Sequence, residues 1–169
     1  DGDLVIVSAV KSKVAASKAR ISAARAMSCT AFACEDGDAV VDDCVVEAAS
    51  GVRVFGAFDL SGGSLSMRGT LVESYADLGL NMISLRGASI LMDRCLARAD
   101  SGSGFLRMGS FSQSRGEIRN SKILVSWKGS GTLFEVAGGG PDFRFDTIVA
   151  DAERGRLRFF EVAGKVPQL

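Results

Sequence analysis

The residues "FEVAG" occur at 134–138 and again at 160–164, so the same five letters return after 26 positions. Looser copies, in which apolar residues alternate with variable ones, begin at four upstream positions: Phe32, Phe58, Ile83 and Leu106. The starts of the six copies therefore recur at a nearly constant interval. A single copy has an apolar side that it cannot bury alone, so the repeat predicts units that stack on one another.

A second motif lies between these copies and keeps a similar interval. It consists of an alternating apolar run, two turn residues, a small or branched residue, and a second apolar run. Five copies fit it: "AVVDDCVVE" from Ala39, "LSMRGTLVE" from Leu65, "ILMDRCLAR" from Ile90, "IRNSKILVS" from Ile118 and "FRFDTIVAD" from Phe143. Short apolar runs separated by Gly, Ser, Asp and Asn indicate strands joined by tight corners. The sequence therefore predicts an all-β fold, a single-stranded parallel β-helix of about six coils with about 25 residues per coil.

The strand, two-residue corner and strand seen in "IRNSKI" and "MDRC" resemble the right-handed parallel β-helix proteins of the pectate-lyase-like superfamily. The resemblance covers residues 14 to 164. It implies a right-handed solenoid and an extracytoplasmic location, in the periplasm, at the cell surface or in the medium of a bacterium. Enzymes of that superfamily that cleave acidic polysaccharides place carboxylates, calcium and basic residues along one sheet.

The chain is interpreted as one domain over residues 1–169 and as a segment of a longer protein. Residues 1–13 are assigned to a partial coil or cap, 14–164 to the stacked coils, and 165–169 to a tail. The stretch "VKSKVAASKARISAARAM" from Val10 is rich in Ala, Lys and Arg, which favour a helix that would cap the solenoid. Against a helix, Val14, Ala16, Ala19 and Ile21 fit the coil pattern, so the sequence favours a first coil.

The composition argues against several functions. Twenty basic and twenty acidic side chains give a formal net charge of zero, so no nucleic-acid partner is expected. The apolar runs are far shorter than the roughly 18 to 20 residues of a membrane span. The chain has no His and four Cys without a CxxC pair, so neither a metal site nor a cofactor is expected. Cys44 and Cys95 fall two coils apart, about 10 Å, which is too far for a disulfide.

Charged residues are predicted to stack at one corner of the coils. This corner column has six members: Ser17, Asp42, Arg68, Asp93, Ser121 and Asp146. Opposite charges stacked on an exposed corner stabilise it by at most about 1 kcal/mol per pair. Asp42, Asp43, Arg68, Asp93 and Arg94 are also the candidate catalytic residues. If the protein is an enzyme, these residues would act with calcium in a polysaccharide lyase or glycoside hydrolase that cleaves acidic glycans. This function is the alternative to a non-catalytic one.

One column of apolar residues is predicted to face outward: Val45, Leu71, Leu96, Leu124 and Val149. Because monomers seldom leave such a row exposed, three interpretations are open: an interface, a covering segment of the same protein, or a facing error of one residue. The sequence carries no phosphate-binding loop, nucleophile elbow or HExxH motif. It therefore favours a non-catalytic module that binds a protein partner, a second copy or a polysaccharide through a lateral face.

Overall fold

The computed structural model describes residues 3–100, 103–137, 143–146, 149–152 and 156–163. These residues form short strands joined by short corners in most places, and within them there is no helix. In chain order the strands are β1 (Asp3–Val10), β2 (Lys13–Ser17), β3 (Arg20–Ala23), β4 (Ser28–Glu35), β5 (Asp38–Asp42), β6 (Val45–Ala48), β7 (Val54–Ser61), β8 (Ser64–Arg68), β9 (Leu71–Ser74), β10 (Gly79–Arg86), β11 (Ser89–Asp93), β12 (Leu96–Asp100), β13 (Phe105–Ser112), β14 (Arg115–Arg119), β15 (Lys122–Ser126), β16 (Ser130–Ala137), β17 (Phe143–Asp146), β18 (Val149–Ala152) and β19 (Arg156–Ala163).

The strands form three parallel sheets that surround one core. Sheet A contains β1, β4, β7, β10, β13, β16 and β19, sheet B runs from β2 to β17, and sheet C runs from β3 to β18. Each strand pairs with the strand three places later, and Phe134 lies directly opposite Phe160. Equivalent residues are 25 or 26 positions apart in every coil of sheet A. The predicted parallel β-solenoid and its coil length are therefore confirmed.

The corners between sheets A and B and between sheets B and C share one backbone feature, a residue in the left-handed region directly after the strand. Between sheets B and C these residues are Lys18, Asp43, Gly69, Arg94 and Asn120, with φ from 49° to 57°. Between sheets A and B they are Lys11, Asp36, Gly62, Gly87 and Gln113, with φ from 48° to 75°. Gly, Asn and Asp adopt this conformation at least cost. This preference explains the Gly, Asn and Asp residues at the corners, whereas Lys11, Lys18, Arg94 and Gln113 adopt the same conformation at a higher cost.

A small inward-facing residue follows the left-handed residue at the corner between sheets B and C. Cys44, Thr70, Cys95 and Ser121 are buried there. The Thr70 hydroxyl donates to the carbonyl of Arg68 at 3.1 Å and accepts from the Cys44 amide at 3.4 Å. The Ser121 hydroxyl likewise accepts from the Cys95 amide at 3.2 Å. These bonds satisfy buried amides that would otherwise be costly.

All four cysteines are free and buried. Cys44 and Cys95 lie in the same column with Thr70 between them, since Val45, Leu71 and Leu96 that follow them are aligned. The prediction that these two thiols do not pair is confirmed. Burial raises the pKa of Cys29, Cys34 and Cys95, so they behave as apolar core residues.

The apolar core is built from columns on the inner side of sheet A. Phe32 stacks on Phe58 with ring centroids 5.1 Å apart, and Phe111 stacks on Phe134 at 6.1 Å. The predicted column with Leu106 is wrong, because Gly109 lies opposite both Ile83 and Phe134. A Cβ on Gly109 would meet the Phe111 ring, so this ring fills the place of the missing side chain. Phe111 also lies opposite Leu85 and Val136, in the next inward column.

Four strands of sheet A, β4, β7, β10 and β13, change facing at their centre. In β4 the buried residues are Cys29, Ala31, Phe32 and Cys34, so two consecutive side chains point into the core. Strands β7, β10 and β13 also carry two consecutive buried residues at the same place. The alternation of inward and outward residues therefore reverses once along each of these strands.

The first residues of the chain form a coil of strands. β1, β2 and β3 pair in parallel with β4, β5 and β6. The stretch from Val10, for which a capping helix was one interpretation, therefore contains β2 and β3 instead of a helix. Among the described residues, β1 lies at one end of the strand order of sheet A, β2 at one end of that of sheet B and β3 at one end of that of sheet C. In the described part of the chain, no helix has the length and hydropathy that a membrane crossing requires.

Candidate functional site

The charged corner between sheets B and C aligns residues from successive coils. Ser17, Asp42, Arg68 and Asp93 are aligned as predicted. The next member is Arg119, followed by Asp146. Acidic and basic residues therefore alternate without interruption from Asp42 to Asp146, which avoids stacking like charges on one another.

The predicted position of Ser121 in this column is wrong by two residues. Ser121 is fully buried and belongs to the inward column that also contains Cys95. The error arises at Gly116, which lies opposite the buried Ile90 where an apolar residue was expected. A Cβ on Gly116 would meet the side chain and backbone of Ile90, so glycine is needed for close approach there.

Asp93 is the one corner carboxylate with a dense set of partners among the described residues. Its residue exposure is 8%. The Asn120 amide donates to Oδ1 at 2.9 Å, Arg119 Nε lies 3.4 Å from Oδ1, and Arg94 Nε lies 3.5 Å from Oδ2. The Asn120 hydrogen bond, helped by the charges of Arg119 and Arg94, lowers the pKa of Asp93 against the opposing effect of desolvation. Asp93 is thus held ionised.

Of the other candidate catalytic residues, Arg94 pairs with Asp93, whereas Asp42, Asp43 and Arg68 form no ion pair with it. Asp42 is half-buried, while Asp43, Arg68 and Arg94 are exposed. The Asp43 carboxylate lies over Gly69 of the next coil, where a Cβ would collide with it. The ion pairs of Asp93 run to Arg94 and Arg119 and not to Arg68. Among the described residues, no group of three or more His, Cys, Asp or Glu side chains is arranged to hold a metal ion.

Asp93→Asn is expected to make the protein less stable near pH 7, and this difference should shrink in acid. Because the folded-state pKa of Asp93 is lowered, its contribution is present above the unfolded-state value of about 3.9 and is lost as the pH falls through the folded-state value. Urea unfolding of both proteins between pH 2 and pH 7 measures this.

Asn120→Gly provides the control for this prediction, because Asn120 is the largest cause of the lowered pKa and glycine accepts the left-handed conformation at that corner. In this variant, the acid loss of stability should be smaller and should be complete at a higher pH than in the unaltered protein, because the folded-state pKa of Asp93 moves back toward its unfolded-state value. Parallel pH profiles for the unaltered protein and Asp93→Asn would contradict the assigned role of Asp93.

The outer side of sheet C carries the apolar column. Val45, Leu71 and Leu96 lie directly opposite one another and are half-buried on the outer surface. We call these three residues the apolar ridge. Spanning two coil steps, it is about 10 Å long. These three residues face outward as predicted. The interpretation that their facing was wrong by one residue is therefore excluded for them.

The predicted continuation of this column is only partly correct. Lys122 lies opposite Leu96, and Val149 follows Lys122. Leu124 lies instead opposite Arg98, because the two-residue slip at Gly116 also shifted this assignment. Lys122 is exposed, so the apolar ridge ends in a positive charge. The side chain of Val149 lies outside the described residues.

Charged residues flank the apolar ridge on sheet C. Arg20 lies at its other end, opposite Val45, and binds Glu47 through Nε at 2.9 Å and Nη2 at 2.6 Å. Arg98 lies 3.8 Å from Glu73 in the same outward column as Glu47. The ridge is therefore an apolar strip bordered by ion pairs, a polarity pattern found in protein interfaces.

A polar depression on the outer side of sheet A was not predicted from the sequence. It is a cavity of about 190 Å³ whose lining includes Thr30, Gly56, Asp59, Asn81 and Arg86. Asn81 Oδ1 is buried and has no hydrogen-bond partner. Gly56 contributes no side chain between Thr30 and Asn81, which is the only sequence signal for the depression. One unpaired amide oxygen does not by itself define a chemistry.

The parallel sheets, the constant coil length and the repeated corners define the chain as a β-solenoid repeat protein. No protein-family model matches the chain, and neither a curated protein nor a solved structure matches it significantly.

Proposed function

We propose that the protein is a non-catalytic β-solenoid module that associates with a second copy or another protein through the apolar ridge. The observation that carries this proposal is the alignment of Val45, Leu71 and Leu96 on the outer side of sheet C. Rigid parallel sheets hold these side chains in place before any partner arrives, so little conformational entropy is lost on binding. Exposed apolar rows rimmed by polar residues are typical of interaction sites.

The charged border supports an interface with a defined orientation. Glu47 and Glu73 are aligned on one side of the ridge, and their charges are balanced by Arg20 and Arg98. Such exposed pairs contribute little to stability. At an interface, however, they would set the register of the partner and speed its association.

Leu71→Asp is expected to abolish association through the ridge, because a carboxylate would be placed at its centre. Leu91→Asp is the matched control, since Leu91 is a half-buried leucine on the outer side of the neighbouring sheet B. Light scattering and hydrogen exchange of the sheet C amides measure the outcome. If Leu71→Asp and the unaltered protein have the same mass and the same amide protection at all concentrations, the ridge is not an interface.

The alternative function, cleavage of acidic glycans at the charged corner with calcium, receives less support. A general acid needs a raised pKa, whereas the pKa of Asp93 is lowered. A calcium titration combined with an assay on acidic glycans tests this alternative, and cleavage that is lost in Asp93→Asn would establish it. Kinship with the pectate-lyase-like superfamily and an extracytoplasmic location stay predictions.

A further inference from the structure

The outer surface of sheet C carries two columns of side chains that run along the solenoid. The first column contains the apolar ridge followed by Lys122. The second column lies two residues further along each strand and contains Glu47, Glu73, Arg98 and Leu124. Its charge therefore changes sign between β9 and β12. A second copy of this column, with the order of its coils reversed, can place an acidic residue opposite a basic one.

Two copies of sheet C can pack face to face, with their strands aligned, about two kinds of two-fold axis. An axis parallel to the solenoid places each coil opposite the same coil of the second copy. Lys122 would then face Lys122, or else the apolar ridge would face the charged column. An axis parallel to the strands instead reverses the order of the coils and keeps each column opposite itself. This second orientation can avoid both conflicts.

The charges select one register for the reversed orientation. With the axis level with a ridge residue, the charged residue on the same strand would face its own copy, which is Glu47, Glu73 or Arg98. With the axis midway between β6 and β9, Glu47 would face Glu73. Midway between β9 and β12, Leu71 faces Leu96 and Glu73 faces Arg98. Of the registers centred on the ridge, this one joins apolar to apolar and acid to base.

Building on the proposed association through the apolar ridge, we propose that its partner is a second copy of this chain. The two solenoids are antiparallel, and the two-fold axis lies along the strands midway between β9 and β12. Leu71 of each copy packs on Leu96 of the other, so the central apolar contact occurs twice. Each copy thus supplies the complement of its own surface, and the assembly closes at two chains.

The charges around these leucines form an alternating square. Arg98 lies 3.8 Å from Glu73 of its own chain, and the axis places each of them opposite the other residue of the second copy. Every charge of the square therefore has two neighbours of opposite sign. Lys122 comes over Val45 of the second copy, and Glu47 of that copy lies two residues further on, about 7 Å away. This distance is within reach of a lysine side chain.

The mass of the full chain in solution tests the proposal, measured by sedimentation or light scattering. A mass of twice the 17.7 kDa of one chain is expected. Glu73→Arg turns both charge contacts of the dimer into contacts between cations, so it should raise the dissociation constant at least about 10-fold. Glu35→Arg is the matched control, because it changes the net charge equally but lies exposed at the end of β4 on sheet A. Circular dichroism checks that both variants are folded.

Mixing two variants tests which residues face each other. Arg98→Glu alone should weaken the dimer as Glu73→Arg does, because residues 73 and 98 would both be acidic. An equimolar mixture of the two variants should recover the mass of two chains, since each residue 73 then faces a residue 98 of opposite charge. The double variant Glu73→Arg with Arg98→Glu should dimerise by itself, which a register with residue 73 opposite residue 73 does not allow.

Failure of this proposal is distinguishable from failure of the proposed function. If Leu71→Asp abolishes the dimer but Glu73→Arg leaves it unchanged, the ridge is an interface in another arrangement, and only the present proposal is overturned. If the dimer survives both substitutions, it forms elsewhere and both proposals are wrong. A chain that stays monomeric at all concentrations, or a double variant that does not dimerise, also overturns the two-fold arrangement.

Discussion

Phe58→Ala is expected to lower the free energy of unfolding by about 3 to 5 kcal/mol, the usual cost of removing a fully buried aromatic side chain. Phe58 is 0% exposed and stacks on Phe32 at 5.1 Å with the rings 11° from parallel. It lies in the third coil, where strands above and below prevent the backbone from closing the cavity. Urea unfolding followed by circular dichroism measures the loss.

Phe105→Ala is the matched control for this substitution. Phe105 is also a phenylalanine of sheet A, but it is 48% exposed and lies over Gly79 on the outer surface. We expect its removal to cost about 1 kcal/mol or less, as is usual for surface changes. If both substitutions had the same effect, the stacked inner column would not be the main source of stability.

Gly63→Ala is expected to destabilise the protein by about 3 to 5 kcal/mol, because backbone strain and overpacking add together. Gly63 has a φ of 71°, and a Cβ there would collide with the carbonyl oxygen of Gly37 in the preceding coil. The colliding atom is backbone, which cannot move without breaking the bond that Ser64 donates to the same carbonyl at 3.2 Å. Thermal or urea unfolding measures the effect.

Gly87→Ala separates the two causes, because Gly87 has a similar φ of 59° but no atom within 4 Å of the added Cβ. Strain alone should then cost about 1 to 2 kcal/mol. Equal losses for the two variants would mean that contact between neighbouring coils does not require glycine at position 63.

The coil length and the strands were predictable because each coil needs apolar side chains at the same inward positions. The prediction failed where glycine replaces a core residue and a neighbour fills its space, as Phe111 does at Gly109 and Ile90 does at Gly116. A glycine at an inward position breaks the apolar pattern, so the alignment of coils by apolar residues shifts to a neighbouring apolar residue. This slip explains the misplacement of Leu106 and Leu124.

The candidate sites were predictable only in the coils without such slips. Asp42, Arg68 and Asp93 are aligned as expected, whereas the partners Arg119 and Asn120 of Asp93 were missed. Asn120 carried a signal, since an asparagine one coil after an aspartate at a left-handed corner is positioned to reach its carboxylate. The depression at Asn81 depends on the absence of a side chain at Gly56, and one glycine among the 20 of the chain does not stand out in the sequence.

Neighbouring coils are separated by one strand spacing, so equivalent positions recur about every 4.8 Å, the distance between hydrogen-bonded strands. Groups attached at the same position of successive coils would therefore be displayed along one sheet at a fixed spacing. Adding or removing one whole coil would change the length of the solenoid by one strand spacing. The pairing register within each sheet would stay the same. A single residue inserted inside a strand would instead move every later side chain of that strand to the opposite face of the sheet.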